Sequence, residues 1–513
     1  LISEPVFDRD RPAKFPIPEL NHCQNVVPFS MLRLLAFLGL ITAAPSSSHA
    51  GSVDDLVAEV EVIQNESGMR SASIGFYLIP VDGEPGGAAG FHMDTGLIPA
   101  STLKAITTAT ANEILGSDFR FRTELQITGT PSDEGILNGN IVIRGGGDPT
   151  LGDSGSGRVF AKWKSALTKA GIQKVEGFVV GDASIFGTKR LSDSWQWNDI
   201  GNYYGAGACG LTFHENQFSC RFRTASPGSK ASFLGTDPKL PGIEFINEMR
   251  VGPTGSGDQG YIYGVPYGKI FYLRGTVPAG SSSFTIRGAL PDPAFFCARA
   301  LTKYLNESDL SVSGEATTVR LLALRGKPIS ARKVLLKEES ETLGSLLILT
   351  NHKSINLRAE CIHRMIGLKV RGKGTTRDAA GAIKDYWAEK GVNMNGFYMA
   401  DGCGLSRANT VSARQMAMIL YHAAKEKGFE TFYRSLPVAG RSGTLRSIGR
   451  GTSAEGRVHA KSGTLDRIKD YAGYINTRSG KRYAFAIFIN NYSGSLSSVK
   501  SKIVRVWEKM VAL

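Results

Sequence analysis

Cysteine is scarce in this chain, with six in 513 residues. No two of them stand close enough to form a paired ligand motif, His-Glu-x-x-His is absent, and the eight histidines are dispersed. That pattern argues against a zinc site, and no metal or cofactor is expected. Long basic tracts are missing as well. The 60 Lys and Arg against 46 Asp and Glu leave a formal charge of +14, but they are scattered and accompany no nucleic-acid motif, so nucleic acid is not the expected partner. The apolar run from Met31 to Ala44 is too short for a membrane span.

What is present reads as globular and loop-rich: 42% of residues are hydrophobic, 60 are glycine, and the length suits two to four domains. Leu1 to Ser30 lacks periodicity. Met31 then opens an apolar core with one arginine, ending at Ser48-His49-Ala50, which reads as a secretory signal cut before Gly51, with Met31 as the expected translation start. The alternative is a buried helix. No cysteine follows the cut to carry a lipid. Cys23 lies upstream, which leaves Cys209, Cys220, Cys297, Cys361 and Cys403. Five cannot all pair in one monomer, and Cys209 with Cys220 is the candidate for a short disulfide loop, although spacing alone does not establish it.

Three short motifs carry the chemistry. Pro99 to Lys104 opens a helix running to about Leu115, with Gly116 as its stop, so that the Ser101 hydroxyl and Lys104 amine share one face at i and i+3. A serine nucleophile there has a base beside it and free N–H groups at a helix start. Ser354-Ile355-Asn356 joins an apolar run to a helix-like segment. It offers a hydroxyl for proton relay and an amide to hold Lys104 and the substrate. Lys461-Ser462-Gly463-Thr464 precedes strand-like terminal segments, and it supplies a cation and two hydroxyls suited to a peptide's terminal carboxylate. Alone, each motif also reads as a solvated helix, a capped loop or a polar strand edge.

In combination the three resemble the active-site serine penicillin-binding proteins and serine β-lactamases. Ser462 replaces the commoner threonine and keeps the hydroxyl. The 249 residues between Lys104 and Ser354 demand an insertion. Within and beyond it, Gly145 to Thr150, Asp182 to Phe186, Trp195 to Asp199, Tyr203 to Ala206 and Asp401 to Arg407 resemble the D-alanyl-D-alanine carboxypeptidase/endopeptidase family of class C penicillin-binding proteins, peptidase family S13.

That resemblance implies an α/β (α+β) fold with a penicillin-binding-protein/serine β-lactamase-like transpeptidase domain. Residues 51–118 and 331–513 form that domain, 119–330 make an inserted β-rich region, with two nested domains, and 1–50 are the leader region. It implies Ser101 attack on the penultimate D-alanine carbonyl, with Ser101 and Thr464 N–H groups as the oxyanion site. Asp182, Trp197, Asp199 and Tyr203 would overlook the cleft, with Arg407 supporting a cleft loop; core, turn and surface-pair roles are the alternatives for these five. The expected partners are peptidoglycan stem peptides ending in D-Ala-D-Ala, with β-lactams as covalent inhibitors, for an exported envelope enzyme whose positive charge suits an anionic wall polymer. A β-lactamase or small-ester hydrolase, and a non-catalytic wall-binding protein, are the rival readings. Oligomeric state is not legible.

Candidate elements run from a helix at Val53 to Ile63 and a strand at Ser73 to Ile79 through short glycine-broken strands from Phe121 to Ile286. A helix near Ala294 to Tyr304 follows. Ile329 to Leu336 is expected to return toward the first domain. Helices at Asp378 to Glu389, Ala413 to Lys425 and Val499 to Met510 complete the chain, the last with Lys502, Arg505 and Lys509 on a solvated face.

Overall fold

The computed structural model describes residues 52–513 except 83–86, 154, 330 and 331. The expected leader, Cys23 and most of the Asp82–Gly87 turn lie outside the described residues.

A five-stranded antiparallel sheet organises both ends of the chain, in the order Val458–Leu465, Ile468–Asn476, Arg482–Asn490, Ser73–Pro80 and Ala89–Phe91. Its central strands are buried on both faces, which is why they read as continuous apolar runs rather than alternating ones. Alternate residues still divide between two cores. Ile74, Phe76 and Leu78 face one with Phe485 and Ile487, whereas Tyr77 and Ile79 face the other with Ala486 and Phe488.

The first core is closed by Val53–Asn65 and Leu496–Val511, whose buried residues recur every three to four positions. Arg505 and Lys509 are exposed, as expected of a solvated face, and Lys502 is half-buried; Lys502 and Arg505 also pair with Glu66, which caps the first helix, and Arg505 with Glu59 within it. On the opposite face lie Leu103–Leu115, Asn356–Arg371 and Ala413–Ala423.

The insertion begins at Arg122–Ile127 and ends at Lys333–Glu339. These two strands pair antiparallel at one edge of a mixed sheet completed by Ile141–Arg144, Val179–Asp182 and Thr317–Thr318. The expected return after Ile329 is thus delayed, and the chain stays in the insertion's sheet through Glu339. Backbone bonds between Phe121 and Ser340 and between Phe119 and Leu343 fasten entry to exit.

This part of the insertion also carries helices. Ser156–Lys169 was not expected among glycine-broken segments, yet Val159, Phe160, Trp163 and Leu167 have helical spacing and fill the core together with Cys297 and Leu301 of Pro293–Asn306. Two smaller sheets follow, one ordered Phe284–Ala289, Gln217–Arg223, Ser232–Asp237 and the other built on Ile270–Pro278. Phe218, Phe222, Phe271 and Leu273 fill the core that these two sheets share. At Gly145 to Thr150 no helix follows the glycines, and the Asp148 carboxylate accepts Thr150 N–H in a local turn.

Candidate active site

Ser101 lies in a 3-10 turn, Ala100–Thr102, that leads directly into Leu103–Leu115. The segment before it is tied to the sheet, since the Asn490 amide both accepts from Ile98 N–H and donates to Ile98 C=O. Ala100 is fully buried with φ +43°, a left-handed conformation that an L-residue adopts only under constraint. Two glycines provide the constraint. A Cβ on Gly404 would stand 1.8 Å from Ala100 O, and one on Gly463 would stand 2.7 Å from Pro99 O, so both chains pass the turn too closely for a side chain.

The turn spaces Ser101 and Lys104 as expected. Lys104 is fully buried, and its Nζ lies 3.0 Å from Ser101 Oγ, 2.6 Å from Asn356 Oδ1 and 2.6 Å from the Cys403 carbonyl. The last two atoms can only accept, so they take two N–H groups. A neutral amine then has its lone pair directed at Ser101 Oγ, which can donate. Burial lowers the Lys104 pKa, opposed by Cys403, Asp401 and Glu360. The sequence suggested Lys461 as a second cause; burial is the dominant one, and the effect between the lysines appears at Lys461, which burial first and Lys104 second push well below its ordinary value.

Asn356 starts its helix one residue after the Ser354 turn, where Ser354 has φ +56°. Its Nδ2 donates to Tyr204 C=O at 2.8 Å, so the insertion orients the amide that holds Lys104. Lys461, Ser462, Gly463 and Thr464 lie on the sheet's edge strand, Val458–Leu465. Lys461 is buried and donates to Ser462 C=O, and Ser462 Oγ donates to Thr444 Oγ1 at 2.7 Å. Thr464 is exposed and accepts from Lys469 Nζ, a group whose pKa burial brings to about 7.

A cavity of about 630 Å³ opens above these groups. Ser101, Ser354, Asn356 and Thr464 line it, and the insertion adds Asp199, Tyr203 and Tyr204. Burial raises the Asp199 pKa while a hydrogen bond from Tyr204 and the charge of Arg407 oppose it.

Two expected cleft residues are elsewhere. Asp182 is buried at the end of its strand, bound to Arg332 and to Ser184 N–H, because the insertion's sheet needs its carboxylate as a structural anchor. Trp197 is 56% exposed and packs against Tyr263, outside the cavity. Arg407, expected to support a cleft loop, reaches the Asp466 carbonyl at 3.4 Å, and its charge acts on Asp199. The Cys209–Cys220 pairing is also corrected: all five cysteines from Cys209 on are free and buried.

The sequence reading missed Tyr204, Thr444, Lys469 and the Cys403 carbonyl. Tyr204 stands in a quoted motif, but its contact uses a backbone oxygen, for which side-chain type gives no signal. Glu360, Asp401 and Cys403 bring side-chain atoms within 4.8 Å of one another. Asp401 accepts from Trp195 Nε1, Gly404 N, Ser406 N and Asn409 Nδ2, so its oxygens serve N–H donors.

A family model for D-Ala-D-Ala carboxypeptidase 3 (S13) matches residues 56–511. The chain belongs to this family. It is a serine-type D-Ala-D-Ala carboxypeptidase, and its fold is that of penicillin binding protein 4. Among S13 relatives, a D-alanyl-D-alanine carboxypeptidase of Actinomadura sp. (strain R39) is 29% identical over 472 residues, 89% of this chain and 85% of that one. The carboxypeptidase DacB of Haemophilus influenzae is 26% identical over 415 residues, covering 80% and 84%. The crystal structure of penicillin binding protein 4 from H. influenzae superposes with a TM-score of 0.74 at 24% identity, covering 89% of this chain and 98% of that one; a second structure of that protein, with a bound β-lactam, gives 0.69 at 22%, again covering 89% and 98%.

Proposed function

We propose that Ser101 is the nucleophile and Lys104 its general base. The observation that carries this reading is the Lys104 amine, buried against two obligate acceptors with Ser101 Oγ as its third neighbour. Ser101 Oγ bonds to the penultimate D-alanine carbonyl carbon as its proton passes to Lys104 Nζ. The C–N bond then breaks, and the terminal D-alanine leaves with a proton relayed through Ser354. Water hydrolyses the ester, returning Ser101 and the shortened peptide. Ser101 and Thr464 N–H groups hold the oxyanion, and Asn356 binds the substrate amide. Lys461 with Ser462 and Thr464 recognises the terminal carboxylate, whose charge favours protonated Lys461. Asp199 and Tyr203 shape the wall that receives the peptide's upstream part.

The same chemistry cleaves a cross-link when the leaving amine belongs to a second stem peptide, so endopeptidase activity accompanies trimming. β-Lactams acylate Ser101 and block it. The enzyme acts outside the cytoplasmic membrane, where its substrate lies; among the described residues no helix is long and apolar enough to cross a membrane.

The test is labelled-penicillin acylation joined to mass analysis of muropeptides. Wild type acquires the label and removes one D-alanine, whereas Ser101→Ala and Lys104→Ala do neither. Equal labelling of Ser101→Ala removes Ser101 from the role, and an unchanged acylation rate in Lys104→Ala removes Lys104.

A further inference from the structure

Behind Lys104 a loop is stitched between two helices. Leu103–Leu115 presents Lys104 and Thr107 on one face, and these donate to the carbonyls of Cys403 and Gly402, the second bond being 2.7 Å. Asn356–Arg371 presents Asn356 and Glu360, also on one face. Asn356 holds Lys104 directly, and Glu360 Oε1 accepts Gly402 N–H at 2.7 Å. Three successive peptide groups of the loop are thus held: Glu360 takes the Gly402 N–H, Thr107 binds the Gly402 carbonyl and Lys104 binds the Cys403 carbonyl. Gly402 has no room for a side chain, because a Cβ there would stand 2.4 Å from His363 Cβ.

We propose that Glu360 is a positioning residue for Lys104: through Gly402 it sets the direction of the Cys403 carbonyl, and its carboxylate supplies negative charge to the ammonium that Lys104 becomes on taking the Ser101 proton. This rests on the reading of Lys104 as the base. The electrostatic surroundings are compact. From the loop, Asp401 and the Cys403 thiol face Glu360, and from its own helix Arg364 does. Around Lys104 stand Cys403, Asp401 and Glu360, all favouring its charged form, with Lys461 on the side of the third motif. Glu360 is fully buried, and its pKa is raised to about 7 by burial and by Asp401.

The experiment measures the acylation rate by labelled penicillin against pH for the full chain. Glu360→Gln keeps an acceptor for Gly402 N–H but removes the charge. Lys104 then loses a group that raises its pKa, so the rising limb of the profile moves to lower pH, by about one unit, and the plateau falls about tenfold. Glu360→Ala also frees the loop, and its plateau falls about a hundredfold. A merely structural role lowers the plateau without moving the limb, so a Glu360→Gln profile with the wild-type limb overturns the proposal. Thr107→Val removes only the bond to the Gly402 carbonyl and leaves the Glu360 charge in place, so it is expected to slow acylation several-fold with the limb unmoved. Glu360→Ala stands in if Glu360→Gln does not fold: it removes the same charge and moves the limb in the same direction, and a wild-type limb in Glu360→Ala overturns the proposal. Full acylation of Lys104→Ala would instead take down the assignment of the base.

Discussion

Ser462 and Gly463 illustrate how neighbouring residues of one motif serve different ends. In the free protein the Ser462 hydroxyl donates to Thr444, and its proton must turn from Thr444 to serve the substrate carboxylate in the proposed complex. Ser462→Thr retains the hydroxyl and is expected to stay within about threefold of wild-type kcat/KM, while Ser462→Val leaves Thr444 unsupported and loses about tenfold on D-Ala-D-Ala peptides. The loss should be smaller on the terminal amide. Equal activity of Ser462→Val on both peptides would show that the hydroxyl pair has no part in carboxylate recognition. Gly463 needs no side-chain chemistry at all; it is required because the edge strand crosses the Ser101 turn at backbone distance.

Among the elements, Asn356–Arg371 buries the charged or titratable side chains of Arg358, Glu360, His363 and Arg364. The His363 ring nitrogens both lack hydrogen-bond partners, and Arg364 is held by the carbonyls of Phe186, Lys189 and Arg190. Burial, then the Arg364 charge, lower the His363 pKa to about 3. The unfolded chain takes up a proton near pH 6.5 that the folded chain refuses until about 3, so stability contributed by the neutral form is lost as pH falls through that window, at up to about 1.4 kcal/mol per unit. Urea unfolding at pH 7, 5.5 and 4.5 should show a steeper fall for wild type than for His363→Gln. Parallel curves would mean that His363 is protonated in the folded state.

At the scale of the whole molecule, packing rather than cross-linking holds the described structure. Cys209 and Cys297 sit in the core of the insertion's first sheet, Cys220 in that of its small sheets, Cys361 beneath the catalytic helices and Cys403 beside Trp195. Burial raises the pKa of each thiol. These thiols should therefore ignore Ellman's reagent in the native protein and react on denaturation, and reductant should leave Tm within about 1 °C, since removing a native disulfide would cost 2–5 kcal/mol or roughly 4 °C and more. A drop of several degrees under reductant contradicts the free-thiol state. The two ends of the insertion meet on adjacent strands, so the catalytic domain keeps one continuous sheet although its halves are far apart in sequence.

The sequence alone marked the side chains proposed for the reaction and determined most of the elements that bear them. Ser101 and Lys104 face one way because helical spacing is local, and the terminal strands announce themselves because burial on both faces demands unbroken apolar runs. Asp182 and Trp197 show the limit of motif likeness, for the residue types are present while the fold spends them on an ion pair and an aromatic contact. Only the tertiary structure decided what surrounds the base. Lys104 meets Asn356 across 252 positions and the Cys403 carbonyl across 299. Every residue has a carbonyl, so nothing in the letter at position 403 marks it as a partner; its direction is set by a glycine against His363 and by Thr107 and Glu360, which hold the two peptide groups before it.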